Sequence, residues 1–340
     1  MTKENITFKQ SKYNINVEEE EYHKSVGYKQ SWLILKFSGK DFNIKIMNSL
    51  RRIATNNIPI YAFPPELINI DTNTTVAFNN DYMKLRLSLL PVMGIDPDIY
   101  FLNDKYWYKV NYADTKREKH EEEKLVEFYV NQHNNSSNIV SITTNDISMY
   151  IDGEQFNPYN SDSPHLLIKL RPGDRFKCYM KAVLGIGEKH VMWASARNAF
   201  YDEISDGVFK FTIEGINQFH EYDTMIRSCK YLIKKLTDLK LDLEHKIALK
   251  EILPEKIIHL RLEKEDFTLG EILNYEFQDH NDIIASGNSK PDHLVKAILI
   301  KVTGKGNTPI YAMLECITIL IEKTSHIGYI ISNLQKKKSK

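Results

Sequence analysis

The sequence has no surplus of either charge: Lys and Arg together number 45, and Asp and Glu together 45. A dedicated nucleic-acid binder draws its affinity mainly from excess basic charge, so this balance argues against that class and leaves room only for a local basic patch. Cysteine is sparse. Cys178, Cys229 and Cys316 lie far apart, without a CxxC pair. A structural zinc site takes four ligands in close pairs, so none is indicated. An odd, thin cysteine count also suits a reducing compartment. Long apolar runs are missing as well. The stretch from Ile310 to Ile321 is broken by Glu315 and Thr318 and is too short to span a bilayer. The first residues, MTKENITFKQSKYNINVEEEE, contain no apolar segment of the signal-peptide kind. A soluble intracellular protein without membrane contact is expected.

Signatures of catalysis are also absent. No DxDxD motif stands ready to hold magnesium. Gly185-Ile186-Gly187 and Gly304-Lys305-Gly306 are lone glycine turns that do not extend to a phosphate-cradling loop. His190, beside Lys189 and Trp193, has no nucleophile or orienting carboxylate at a telling spacing, and reads as a packing or interface histidine. No catalytic residue, metal ligand or cofactor is expected.

What is present is globular. A chain of 340 residues suggests about two domains. Its 42% hydrophobic and 26% charged residues separate it from disordered sequences. Residues 1–30 are polar, with an acidic run from Glu18 to Glu21, and read as an arm ordered on contact or as a disordered tail. Trp32 to Phe37 spells a strand ending at Ser38-Gly39. Asp41 is placed to cap a helix whose apolar stripe is Ile46, Met47, Leu50, Ile53 and Ala54, with Lys45, Arg51 and Arg52 off the stripe and Pro59 as its stop.

From Tyr61 to Pro164, short alternating stretches (67–70, 75–78, 139–142 and 147–151) lie between Asn, Asp, Pro and Gly clusters and predict a strand-rich segment. A charged interruption from Asp114 to Lys124 reads as a solvated loop or short helix. Strands resume over 165–170, 175–183 and 208–214, followed by two long helices with seven-residue apolar repeats. In the first, Tyr222, Cys229, Leu236 and Leu243 are joined by Met225, Leu232 and Leu239. In the second, Ile310, Ile317 and Ile331 are joined by Met313, Leu320, Ile327 and Leu334. Such seams suit near-parallel or antiparallel helix packing, and equally two ordinary core helices.

An internal repeat carries the architecture further. Lys40-Asp41-Phe42-Asn43-Ile44 is echoed by Glu265-Asp266-Phe267-Thr268-Leu269, setting Met47 against Ile272 and Leu50 against Tyr275. Ile213-Glu214-Gly215 is echoed by Val302-Thr303-Gly304, with Tyr222 and Tyr311 in step. Each copy reads strand–helix, then strand–long helix. A small sheet covered by helices on one face leaves their seams exposed until a second such layer packs on them, and this chain carries both layers. The expected fold class is α+β, with two dimerisation modules fused as an internal pseudo-dimer and a strand-rich domain inserted in the first. The divisions are an N-terminal arm (1–30), a first module (31–60 and 165–252), the insert (61–164) and a smaller second module with a basic tail (253–340). Tyr222, Met225, Cys229, Leu232 and Leu236 would pair with Ile310, Met313, Ile317, Leu320 and Ile327, leaving no stable homodimer.

Three groups of residues, in order, resemble one family. Asn48-Ser49-Leu50-Arg51-Arg52-Ile53 with Ile58-Pro59 is similar to the helix signature of the α-like RNA polymerase subunits: the bacterial α amino-terminal domain, the archaeal D subunit and the third-largest subunit of eukaryotic polymerase II. Asn73-Thr74-Thr75-Val76, Leu85-Arg86-Leu87 and Leu89-Leu90-Pro91 resemble that family's inserted domain, and Pro172-Gly173-Asp174 with Lys181 to Gly187 its later segment. Glu265 to Gly270 with Tyr275-Glu276 looks like the smaller partner, the archaeal L subunit and its eukaryotic eleventh-subunit counterpart. The resemblance covers residues 31–335 and implies a fusion of both partners in one chain, as in some large DNA viruses. The cysteine-rich metal loop of some members has no counterpart, since 61–164 contains no cysteine.

What the resemblance implies is a non-catalytic assembly subunit of a multisubunit DNA-dependent RNA polymerase. It would bind the largest and second-largest subunits and small zinc-bearing subunits, and would meet nucleic acid only through the complex. The location would be intracellular, and for a virus the host cytoplasm and the virion. The alternative is a free-standing transcription adaptor using the same fold. Arg51 and Arg52 alone read as a solvated helix face, but paired guanidiniums beside a buried stripe also suit bidentate carboxylate contacts. The resemblance turns them toward the large subunits, with Asn48, Arg86, Leu269 and Gly270 as further interface candidates. Asn48 would also brace local backbone and Gly270 allow close helix approach. Lys336 to Lys340 reads as a solubilising end, a localisation signal or a nucleic-acid contact.

Overall fold

The computed structural model describes residues 6–24, 31–95, 106–107, 120–159, 162–216, 218–306 and 309–338. In chain order the first elements are β1 (Asn16–His23), β2 (Trp32–Ser38), α1 (Ile44–Asn56), β3 (Ile60–Ala62), β4 (Ile68–Asn73), α2 (Asn80–Ser88), β5 (Val126–His133) and β6 (Val140–Thr143). Next come β7 (Ile147–Ile151), β8 (Glu154–Gln155), β9 (Leu166–Leu170), β10 (Arg175–Gly185), β11 (Ala196–Ser205), β12 (Val208–Gly215) and α3 (Glu221–Ala248). The chain closes with β13 (Ile257–Glu263), α4 (Phe267–Gln278), β14 (Ile283–Ser289), β15 (Ala297–Gly304) and α5 (Pro309–Lys338). The class is α+β. No helix among the described residues is long and apolar enough to cross a membrane.

Alternation builds the sheets. In β2 and β12 every second side chain is buried, and Leu33, Leu35 and Phe37 lie beside Phe209, Phe211 and Ile213 under α1 and α3. The first sheet has the order β1-β2-β12-β11, and a second, β13-β15-β14, repeats its last three positions with α4 and α5 in place of α1 and α3. One continuous apolar core joins these two layers, with α3 packed along α5. A separate core lies under the sheet β3-β10-β5-β7-β8, to which β4 adds by pairing with β10. Phe63, Met83, Phe128, Met149, Phe176 and Met180 fill it, so the inward side chains of β9 and most of β10 belong to this core. Where β10 leaves it, Trp193 lies across Gly185 and donates its indole N–H to the Val183 carbonyl (3.0 Å); a Cβ at Gly185 would stand 2.3 Å from the indole.

Several local expectations change. The N-terminal arm is ordered over residues 6–24, and β1 pairs with β2 along its length. Asp41 is not a cap. Its carboxylate accepts the Asn14 N–H (2.7 Å), and Asn43 caps α1 instead, accepting from the N–H groups of Lys45 and Ile46. Residues 75–78 form no strand, because Asn73 closes a turn: its Oδ1 accepts from the Thr75 N–H and hydroxyl while its Nδ2 donates to the Phe78 carbonyl. Helix α2 and strands β5 and β11 are additions to the sequence reading. The charged interruption lies outside the described residues from Asp114 as far as residue 119.

The repeat also shifts register. Buried positions of α1 (Ile46, Met47, Ser49, Leu50, Ile53, Ala54) match those of α4 (Leu269, Gly270, Ile272, Leu273, Glu276, Phe277) only when Asn43 is set against Asp266, both of them N-caps. Leu50 therefore corresponds to Leu273 and not to Tyr275, which is 42% exposed. Likewise Tyr222 corresponds to Ile310, both buried, and not to the exposed Tyr311. The shared Asp-Phe pairs, Asp41-Phe42 and Asp266-Phe267, favour the other register, but burial phase decides which residues are equivalent.

Candidate subunit interface

Helix α1 presents three rows. Its apolar row enters the joined core, where α1 packs on α3 and β11. A second row, Lys45, Ser49 and Arg52 at i, i+4 and i+7, faces α4 in the other layer. Lys45 Nζ meets Glu271 Oε2 at 2.6 Å, Ser49 Oγ donates to the Thr268 carbonyl at 2.9 Å, and Arg52 Nη2 meets Asp266 Oδ2 at 2.6 Å. The Lys45 ammonium, helped by Asn288, holds the Glu271 carboxyl below its usual range against the opposing effect of burial. Burial pushes Asp266 up, but hydrogen bonds from Thr268 and the charges of Arg52 and Lys296 outweigh it, so its carboxyl also lies below the usual range.

The third row holds Asn48 and Arg51. Asn48 Oδ1 accepts from Arg51 Nε (3.1 Å) and Nη2 (2.9 Å), which fixes the guanidinium over the outer surface of α1. Arg51 and Arg52, adjacent in sequence, thus do different work, since successive helical residues point about 100° apart. Arg86 on α2 donates to the Leu166 carbonyl at 3.0 Å. Leu269 is buried in the joined core, and Gly270 gives way to a strand rather than a helix: a Cβ there would lie 2.9 Å from Ile298 on β15. Leu269 also lines a cleft beside α3. The row pairing α1 with α4 was missed in the sequence, although the spacing of Lys45, Ser49 and Arg52 carries its signal.

All ten expected pairing residues are buried in the joined core: Tyr222, Met225, Cys229, Leu232 and Leu236 from α3, and Ile310, Met313, Ile317, Leu320 and Ile327 from α5. Beside the core lies an open cleft of about 840 Å³ between α3, the turn before α4 and the loop after β10. Its walls are self-neutralising, with Lys234–Asp238, Lys235–Glu265, Lys246–Asp242, Arg261–Glu263 and Lys296–Glu188 as ion pairs. The basic end of α5 is also engaged: Lys338 meets Glu19 at 2.6 Å and lies over the Tyr22 ring.

Chemistry of other kinds finds no constellation among the described residues. No group of three or more His, Cys, Asp or Glu side chains is placed to hold a metal ion. Burial pushes the Cys178, Cys229 and Cys316 thiols up to about 12, with nearby carboxylates adding to it at Cys178 and Cys316. Such thiols are poor nucleophiles. His190 Nδ1 accepts the Met192 N–H (3.2 Å), capping a short turn beside Trp193.

No protein-family model matches the sequence. The chain is similar to a protein of Acanthamoeba polyphaga mimivirus provisionally described as a DNA-directed RNA polymerase subunit, with 26% identity over 313 residues, 85% of this chain and 87% of the viral one. It is also similar to a subunit of DNA-directed RNA polymerases I and III from Dictyostelium discoideum, with 24% identity over 203 residues, 53% of this chain and 57% of the other.

Proposed function

For a chain homologous to DNA-directed RNA polymerase subunits over most of its length, we propose the role of a non-catalytic assembly platform in a multisubunit polymerase. The observation that carries this reading is the single core joining two repeated sheet–helix layers, through α3 on α5 and α1 on α4. We read it as an internal pseudo-dimer of a first module, carrying the insert, and a smaller second module. Both partners of an α-like pair would then be supplied by one polypeptide, at an effective concentration of order mM for a short connector. The outer row of α1, Asn48 and Arg51, would dock the second-largest subunit, and the second module the largest. Small zinc-bearing subunits would cover the platform's end. The polymerase's catalytic metal and nucleic-acid contacts would belong to other chains, and the site of action would be intracellular, in the host cytoplasm for a virus.

The test is affinity capture of the tagged chain from cells that make the whole enzyme, followed by mass spectrometry. Two very large polymerase subunits are expected, with recovery reduced at least tenfold by Arg51→Glu. Arg51 is the informative position because Arg52 serves the α1–α4 contact. Recovery of the chain alone, or with regulatory proteins only, overturns the platform and favours the free-standing adaptor. The purified chain is expected to sediment as a monomer of 39.7 kDa; a stable homodimer would contradict the internal pairing.

A further inference from the structure

Residues 6–15 start from the first layer, at the foot of α1, and run across the C-terminal half of α5, the last helix of the second. Asn14 anchors the crossing by donating its N–H to Asp41 Oδ2 at 2.7 Å. Beyond it the Tyr13 ring lies 5.6 Å from the Lys323 ammonium. The Ser11 N–H donates to His326 Nδ1 at 3.2 Å, and the Lys9 N–H donates to Ser325 Oγ at 2.8 Å. Phe8 lies against Gly328, where a Cβ would stand 2.3 Å from its ring.

Comparison with α3 isolates what the crossing does. When the two long helices are matched by their buried rows, Lys323 corresponds to Lys235, His326 to Asp238 and Gly328 to Lys240. All three positions are buried in α5, and none is buried in α3. The face that α3 leaves open is thus covered in α5, and residues 6–15 lie on it. In its first half α5 buries apolar residues such as Ile310, Met313, Ile317 and Leu320. Farther along, Lys323, Thr324, His326 and Gly328 join the buried set. Polar and small side chains add little apolar packing, so this half of α5 relies more on contacts from other segments.

We infer that residues 6–15 are a clasp that closes last on the folded chain and sets how long the two layers stay joined. Its hydrogen-bond partners on α5 lie 315 and 316 positions away. A loop of that length is entropically costly to close, and the seat exists only once α5 is in place. The joined core therefore forms first and the clasp follows. An interaction made after two layers meet slows their separation without hastening their meeting. Phe8 is the catch. Glycine weakens a helix relative to alanine, and Phe8 occupies the space that Gly328 leaves.

The buried cysteines offer a direct readout. Cys229 on α3 and Cys316 on α5 lie in the joined core, and Cys178 lies in the insert's own core. The full chain is alkylated with iodoacetamide at concentrations where the rate no longer rises with reagent, so that opening of each core is rate-limiting. Peptide mass spectrometry separates the three thiols. Phe8→Ala is expected to speed Cys229 and Cys316 together by roughly tenfold, the order set by releasing a partly buried phenylalanine, and to leave Cys178 unchanged. A chain beginning at Ser11 is expected to behave the same way. Gly328→Ala is expected to speed both thiols in the native chain and to add nothing to Phe8→Ala, because both substitutions empty one seat. On refolding from urea, native and Phe8→Ala chains are expected to regain thiol protection at the same rate.

Unchanged rates at Cys229 and Cys316 overturn the inference. So does acceleration of Cys316 alone, which would confine the opening to its own layer. Equal acceleration of all three thiols would mark general destabilisation and also overturn it. Additive effects of Phe8→Ala and Gly328→Ala would rule out the shared seat, and slower refolding of Phe8→Ala would rule out a clasp that closes last.

Discussion

Helices α1 and α4 hold the same place in two repeated layers, but they are stabilised differently. Each begins after an N-cap, Asn43 in one and Asp266 in the other. Asn43 only caps. Asp266 caps, and its second oxygen also binds Arg52 across the layers. One turn from the end, the buried position is Ile53 in α1 and Glu276 in α4, and Glu276 is kept in the core by Lys323 of α5 at 2.8 Å. Burial raises the Glu276 carboxyl despite that partner. Besides the ion pairs that α1 and α4 share, α1 is held within its own layer by apolar packing. The smaller layer, with three strands, relies on ion pairs as well. A small sheet buries less apolar surface per residue, so polar contacts carry a larger share of its specificity.

The sharpest way to break this comparison is to ask which parts melt together. Ile317→Ala, in the joined core, is expected to cost roughly 2–5 kcal/mol and to lower the transition of both layers at once. Phe128→Ala, in the insert's own core, is expected to cost roughly 3–5 kcal/mol and to lower a separate transition. Differential scanning calorimetry distinguishes them, and a single transition moved equally by both substitutions would mean that the two cores fold as one.

A smaller effect tests the caps. Asn43→Ala is expected to cost about 1 kcal/mol in urea unfolding, as an N-cap should. Asp266→Ala should cost more than Asn43→Ala, because it also removes the Arg52 contact. If Asp41→Ala instead proves the most damaging of the three, α1 is capped as the sequence pattern suggests.

The smallest effect is Arg52→Ala. Its pair with Asp266 is about one-third exposed at both ends, so solvent screening limits the loss to roughly 0.2–1 kcal/mol at pH 7. Because the Asp266 carboxyl lies below its usual range in the folded state, its contribution is present above the ordinary carboxylate range and disappears as pH falls through the lowered value. The difference between native and Arg52→Ala unfolding midpoints should therefore shrink from pH 7 to pH 3. A constant difference would mean that Arg52 acts by packing alone.

Much of the scaffold was legible in the residues. Alternation marked β2, β9, β10 and β12, and seven-residue spacing marked the buried rows of α3 and α5, because these elements meet the core with one face and their side chains repeat with the element's own period. One of the three groups of residues behind the family resemblance, Asn48 to Ile53, falls in α1, with Asn48 and Arg51 on its third row. Less legible was anything set by a distant segment. Asp41 has the composition of a cap, but Asn14 draws its carboxylate away. Thr75 to Phe78 has the composition of a strand, but Asn73 folds it into a turn.

What the sequence by itself determined is many of the elements and their apolar faces, since these follow from local periodicity that any solvent-excluding core must respect. What only the tertiary structure decided is the true register of the two copies, the turning of Arg52 inward to Asp266, and the seating of residues 6–15 on α5. These depend on hydrogen bonds and ion pairs between residues as many as 316 positions apart. Such contacts leave no periodic trace, because a donor and its acceptor need to meet in space and not in sequence.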